Sequence, residues 1–176
     1  MAKHTELRLS GSGGQGLILA GIILADAAIR DGINAIQTQS YGPEARGGAS
    51  KAEVLIADEE IDFPKVTTPD LVLALTQEAC DKYVASIKEG GIVIVNKGIT
   101  VPSSINAKVY ELPIMETAKT KVGKGIVANI VALGAIVELT QLVSKENLEN
   151  AILSRVPKGT EALNRLALTE GYNMVK

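Results

Sequence analysis

The opening of the chain constrains its fold more than any other stretch. Residues 5–9 read as a short strand that runs directly into Gly11-Ser12-Gly13-Gly14-Gln15-Gly16. Residues 17–29 then place Leu17, Gly21, Leu24 and Ala28 on one face at helical spacing. The small Ala and Gly residues on that face allow the helix to lie close to a sheet. Asp26 and Arg30, four apart, form a favourable pair on the solvent side. A strand, a glycine turn and a helix in this order open an α/β domain.

The rest of the chain continues the pattern. Residues 33–39 and 52–57 predict a second and a third strand, and 108–112 a sixth, ended by Pro113. Residues 71–75 and 92–95 are short, continuous apolar runs, as expected of strands buried on both faces. The helix linking them is predicted over 79–87 and closed by Glu89-Gly90-Gly91. The last third is helical. Residues 125–142 are apolar almost all round and predict a buried helix. Ser144 is placed to cap a helix reaching about Val156, where Pro157 stops it. The final helix is expected from Thr160 to about Glu170, ended by Gly171. These elements predict one domain over residues 1–176: a three-layer α/β/α arrangement with a mostly parallel sheet of about five to seven strands.

Composition narrows the chemistry. Apolar residues make up 46% of the 176, enough for a sizeable core, whereas aromatics are 3% with no Trp and one Phe. That argues against a base-stacking surface, and a net charge of −2 leaves no basic footprint for a phosphate backbone. No nucleic-acid partner is expected. One cysteine, Cys80, rules out an internal disulfide and a cluster ligated by cysteines of this chain alone. Cys80 reads as a core or boundary residue, because no histidine is placed to activate it; the one histidine is His4. Metal ligands would have to be carboxylates, and these form no clustered motif. The longest greasy stretch, 126–139, is broken by Asn129, Gly134 and Glu138 and falls short of the about 20 apolar residues a bilayer span needs. The first residues lack the charged and apolar blocks of a signal peptide, so a cytoplasmic chain without membrane attachment is expected.

The glycine turn satisfies the G-x-G-x-x-G pattern of dinucleotide folds, a weak signal alone. That fingerprint also wants a carboxylate at the end of the second strand, where this chain has Gln37-Thr38-Gln39-Ser40; Asp31 is at about the right distance but precedes the strand. Two readings of Gly13, Gly14, Gln15 and Gly16 stay open. They touch a ligand or an interface, or the glycines serve the geometry of a tight turn.

A second segment, Ser40-Tyr41-Gly42-Pro43-Glu44-Ala45-Arg46-Gly47-Gly48, is a long connection between strands. Its length and flanking glycines favour a surface held against another subunit or a ligand, with Tyr41, Glu44, Arg46, Gly47 and Gly48 as candidates and Arg46 forking onto a carboxylate or phosphate. The plainer alternative is an exposed loop with a Glu–Arg pair worth roughly 0–1 kcal/mol. A third feature is Asn129, one turn into an apolar helix. Unpaired, its amide would cost roughly 1–3 kcal/mol, so it must find partners, either in a neighbouring loop of this chain or on another subunit. Lys121 and Lys124, beside Gly123 and Gly125, either receive an anion at the start of that helix or sit in a solvated linker. Lys97, after a buried strand, reads more readily as solvated than as facing an anion.

In their order and spacing, the glycine turn, the 40–48 segment and Asn-Ile-Val-Ala-Leu-Gly-Ala over 129–135 resemble the gamma subunit of 2-oxoacid:ferredoxin oxidoreductases. The resemblance covers essentially the whole chain. The Pro-Glu-Ala-Arg-Gly-Gly form is most similar to the 2-oxoglutarate type, with the pyruvate and 2-oxoisovalerate types close. It implies a complex that decarboxylates a 2-oxoacid on thiamine diphosphate and Mg2+, passes electrons through [4Fe-4S] clusters to ferredoxin, and leaves the acyl group on coenzyme A. It also implies partner subunits of alpha, beta and delta type that carry those groups. This chain has no Gly-Asp-Gly element followed by a distant Asn and no cysteine cluster. On this reading it holds no catalytic residue and is inactive alone. The alternatives are a free-standing Rossmann-like oxidoreductase with its own dinucleotide, and a purely structural scaffold subunit.

Overall fold

The computed structural model describes residues 4–39 and 49–176. Six strands form one sheet: β1 (His4–Ser12), β2 (Asn34–Gln39), β3 (Ala49–Ala57), β4 (Leu71–Ala74), β5 (Gly91–Asn96) and β6 (Ala107–Leu112). Their order across the sheet is β2-β3-β1-β4-β5-β6. The β1–β4, β4–β5 and β5–β6 pairs are parallel, and β3 runs antiparallel to both of its neighbours. Five strands therefore share a direction, as a mostly parallel sheet requires.

Strand alternation divides the core between two faces. Leu7, Leu9, Leu71, Leu73 and Ile94 face a thick helical layer of α1 (Leu17–Arg30), α4 (Ala128–Thr140), α5 (Lys145–Leu153) and α6 (Glu161–Asn173). Val72, Ala74, Val93 and Val95 face the other way, onto Ala79, Cys80 and Tyr83 of the short helix α2 (Gln77–Tyr83). A final short helix, α3 (Ile114–Thr117), follows β6. Three layers result, one much thinner than the other. Arg8 alternates with Leu7 and Leu9 and so points to the thin side. There it is buried, bonded through Nε to Glu53 Oε2 at 2.7 Å, directly across the β1–β3 pair.

The helical layer corrects the sequence-based expectations in three places. The helix expected over 79–87 starts earlier, capped by Thr76 Oγ1, which accepts from Ala79 N at 3.1 Å, and tightens into a 3-10 turn after Tyr83. The long apolar stretch is a 3-10 turn over Gly125–Val127 followed by α4, which stops at Thr140 because Gln141 turns into the left-handed region (φ 52). Gly171 does not end the last helix; α6 runs on to Asn173. Gly171 is instead the point where α6 crosses α4. A Cβ there would stand 2.2 Å from Val131 O, and one on Gly134 would stand 2.6 Å from Leu168 O. Ser144 does cap α5: its Oγ accepts from Asn147 N at 3.2 Å. No helix among the described residues is long and apolar enough to cross a membrane.

Candidate functional site

The glycine turn leaves the carboxyl end of β1, the edge at which parallel α/β sheets bind ligands. Gly14 (φ 87) and Gly16 (φ 73) take left-handed conformations that a side chain would strain. Gln15 folds back on the turn: its Oε1 accepts from Ser12 N at 2.7 Å, and its Nε2 reaches Met115 Sδ at 4.0 Å. A Cβ on Gly11 would lie 2.2 Å from that Oε1, so Gly11 makes room for the folded amide.

Asn129, 5% exposed, closes the other side of the turn. Its Nδ2 donates to Gly16 O at 3.1 Å, and its Oδ1 accepts from Ile130 N at 2.9 Å. Both ends of the amide are satisfied within the chain, so of the two readings the neighbouring loop is the one observed. A Cβ on Gly16 would fall 2.5 Å from Asn129 Nδ2. The turn and the buried helix, far apart in sequence, are one structural unit.

Gly13 and Gly14 remain exposed. Beside them opens a cavity of about 350 Å³, lined among others by Gly14, Gly16, Leu19, Lys124, Ile126 and Asn164. The first turns of α1, α4 and α6 all contribute to its wall, and none of the three begins with a side-chain cap. Asn164 was not singled out by the sequence. It sits 4% exposed, and its Nδ2 donates to Thr160 O at 2.9 Å and Thr160 Oγ1 at 3.2 Å. Because Thr160 Oγ1 itself donates to Pro157 O at 2.6 Å, it must accept from Asn164, which fixes the amide's orientation. The Thr160–Asn164 spacing of one helical turn is the signal that was present.

The remaining candidates separate. Tyr41, Glu44, Arg46, Gly47 and Gly48 lie outside the described residues. The strand ends that bracket them are at the same edge as the glycine turn, since Ala49 pairs with Ser12. Lys124 stands at the cavity, while Lys121 Nζ is 3.9 Å from Glu170 Oε2. Lys97 is exposed. The Cys80 thiol is buried with Sγ 3.7 Å from Thr100 O, and burial, helped by neighbouring Asp81, raises its pKa. That is the setting of an inert core cysteine.

The dinucleotide reading fails on topology. In that fold the second strand lies next to the first, whereas here antiparallel β3 separates β2 from β1. Asp31 is at the far end of α1, about 20 Å of helix from the glycine turn. Its carboxylate is engaged by Ser144 N and Ser144 Oγ, both at 2.6 Å, and by Asn147 Nδ2 at 2.7 Å.

The fold and the site together define a three-layer α/β domain, with a six-stranded, mostly parallel sheet whose carboxyl edge carries an interlocked glycine turn. The chain belongs to the pyruvate ferredoxin/flavodoxin oxidoreductase family, whose model matches residues 6–174. It is 54% identical to the 2-oxoglutarate synthase subunit KorC of Methanocaldococcus jannaschii over 97% of this chain and 94% of that one. The structure of a keto/oxoacid ferredoxin oxidoreductase gamma subunit from Geobacter sulfurreducens superposes with a TM-score of 0.91 at 53% identity, covering 99% of this chain and 97% of that one. The 2-oxoglutarate:ferredoxin oxidoreductase of Magnetococcus marinus, solved with 2-oxoglutarate, coenzyme A and succinyl-CoA bound, matches with a TM-score of 0.87 at 26% identity. There the match covers 99% of this chain but 31% of the other. Pyruvate- and ketoisovalerate-type relatives are more distant, at 31–35% identity. The gamma-subunit resemblance seen in the sequence therefore holds, with the 2-oxoglutarate type as the nearer one.

Proposed function

We propose that this chain is the gamma subunit of a 2-oxoglutarate-type ferredoxin oxidoreductase. The complex converts 2-oxoglutarate and coenzyme A to succinyl-CoA and CO2, and the two electrons released pass to ferredoxin. The observation that carries this reading is identity above half, along nearly the full length of both chains, to a 2-oxoglutarate synthase subunit.

Thiamine diphosphate, Mg2+ and the [4Fe-4S] clusters belong, on this reading, to the alpha, beta and delta-type partners. The donor set here does not fit a cluster: the sequence has one cysteine, and its thiol is buried in the thin layer. The chain's own contribution is a rigid carboxyl edge, with the turn at Gly13, Gly14, Gln15 and Gly16 pinned by Asn129, offered to the partner that performs the chemistry. The complex works in the cytoplasm.

The test is native purification and reconstitution. The chain should co-purify with its companions, and the assembly should reduce ferredoxin or a viologen dye only when 2-oxoglutarate and coenzyme A are both present. The purified chain should be folded and inert. Steady turnover of a 2-oxoacid by the chain alone would overturn the assignment, as would an assembly that ignores every 2-oxoacid.

A further inference from the structure

The cavity beside the glycine turn has a character that nothing in the turn's own geometry requires. Three helices of 13 or 14 residues, α1, α4 and α6, begin at its wall. The first turn of a helix carries unpaired N–H groups and the positive end of the dipole. α1 and α6 have no side chain at the N-cap to meet them, whereas α4 continues a 3-10 turn and its Ile130 N–H is taken by Asn129 Oδ1. Lys124 adds a full positive charge. Glu161, the acidic residue in the first turn of α6, is turned to Gly159 N at 2.8 Å.

The rest of the wall is greasy: Leu19, Ile130, Val156 and Leu163, with Ile126 on the rim. Ile126 is 78% exposed, the largest value among the exposed large hydrophobics described. The third feature is Asn164. Its side chain is buried and its amide nitrogen is spent on Thr160, so Oδ1 is left without a donor from any described residue, on a side chain that lines the cavity. Oδ1 is not among the enclosed side-chain atoms that lack a hydrogen-bond partner, so it stays accessible and can accept from an occupant of the cavity.

We infer that this cavity is the seat of a segment from a partner subunit of the same oxidoreductase, one that brings a carboxylate next to a large apolar side chain. The carboxylate meets the starts of α1 and α6 and Lys124, the apolar side chain covers Ile126 and enters between Leu19 and Leu163, and a backbone N–H of the segment donates to Asn164 Oδ1. A volume of about 350 Å³ is room for a few side chains rather than a whole helix. In the Magnetococcus marinus protein the equivalent fold is 31% of a longer chain, so a fold of this kind operates joined to further polypeptide. The inference rests on the gamma-subunit reading.

The experiment uses Ile126→Cys, an exposed position whose change leaves the core intact, with buried Cys80 as the slow background. Maleimide labelling of position 126 is followed in the free chain and in the complex purified with its companions. Labelling should slow at least about tenfold on assembly, and Lys124→Glu should weaken assembly about tenfold without moving the melting temperature of the free chain. Equal labelling in the free chain and in an intact, active complex would overturn the docking seat while leaving the proposed function standing. Protection of the free chain by 2-oxoglutarate or coenzyme A alone would also overturn it, in favour of a small-molecule site. Failure of the chain to associate with any companion would remove the gamma-subunit reading, and this inference with it.

Discussion

The carboxamide of Asn129 occupies the space that a side chain on Gly16 would need: its Nδ2 lies 2.5 Å from where that Cβ would be and donates to the Gly16 carbonyl at 3.1 Å. Each residue therefore fixes the other. Asn129→Leu strands the Ile130 N–H that Oδ1 now accepts and sets a branched side chain against the turn, which should cost about 1–3 kcal/mol. Gly16→Ala pays both the positive φ and the overlap, and should cost a similar amount. Because both act on one contact, urea melts of the two single variants and the double variant should show strong non-additivity. Additive losses would separate the turn from the helix.

The α4–α6 crossing makes a second prediction. Gly171→Ala places a methyl group 2.2 Å from Val131 O, and Gly134→Ala one 2.6 Å from Leu168 O. Neither clash is with a flexible side-chain end, so the helices must part. Each substitution should destabilise the chain by about 1–3 kcal/mol or more, although alanine is the better helix former. Thermal melting checks this, and a rise in melting temperature would show that the crossing has slack.

Much of this fold was legible in local pattern. Apolar runs at 71–75 and 92–95 gave β4 and β5, and Ser144 announced α5. What escaped depends on contacts between distant residues. Gly171 looks like a helix terminator because glycine commonly follows a helix end, and only its contact with Gly134 shows otherwise. The direction of β3 is equally hidden, since a buried strand has the same period either way. At the site, Gln15 and Asn129 were visible as amides out of place. Their partners were not, because Ser12 and Gly16 contribute backbone atoms that every sequence has.

Asp31 joins the end of α1 to the start of α5. Burial alone would raise its pKa, but the hydrogen bonds from the Ser144 hydroxyl, Asn147 and the Ser144 amide outweigh that and hold the carboxyl below its ordinary range. A depressed carboxyl pKa contributes stability that is fully present above the unfolded value near about 3.9 and is lost as pH falls through the folded one. Stability should therefore drop below about pH 4, and Asp31→Asn should cost about 1–2 kcal/mol at pH 7 and flatten that acid limb. Denaturant melts at pH 7, 4 and 3 measure it; an acid limb unchanged in the variant would assign the loss to other carboxyls.

Tyr172 is the alkaline counterpart. Burial first, then Glu149 and Glu138, push its phenol up to about 12, and its hydroxyl has no hydrogen-bond partner among the described residues. The folded state keeps a proton that the unfolded chain releases near about pH 10, so stability falls between about pH 10 and 12. Tyr172→Phe removes an unpaired hydroxyl. It should match or exceed the parent at pH 7 and lose less stability above pH 10, as melts at pH 8 and 11 would show. A large loss at neutral pH would mean that the hydroxyl has a bonding role.

The last prediction concerns Arg46, in the segment between β2 and β3. The strands on either side end at the carboxyl edge, where Ala49 pairs with Ser12 beside the glycine turn. Gly47 and Gly48 permit a backbone approach that side chains would block, and Pro43 lowers the entropy lost when such a segment is ordered against a partner. Arg46 brings a planar, permanently charged fork, which suits a carboxylate on a neighbouring subunit or a phosphate of coenzyme A. The described residues form a packed core on each face of the sheet. Arg46→Ala should therefore leave the melting temperature of the free chain nearly unchanged, while in the reconstituted complex it should weaken assembly or acyl transfer by about 2–5 kcal/mol, the usual loss when one side of a desolvated charged contact is truncated. The apparent affinity for coenzyme A distinguishes the two contacts: a loss confined to it assigns the fork to the ligand, and a loss of assembly assigns it to a subunit. Unchanged assembly together with unchanged activity would reduce the segment to a solvated turn.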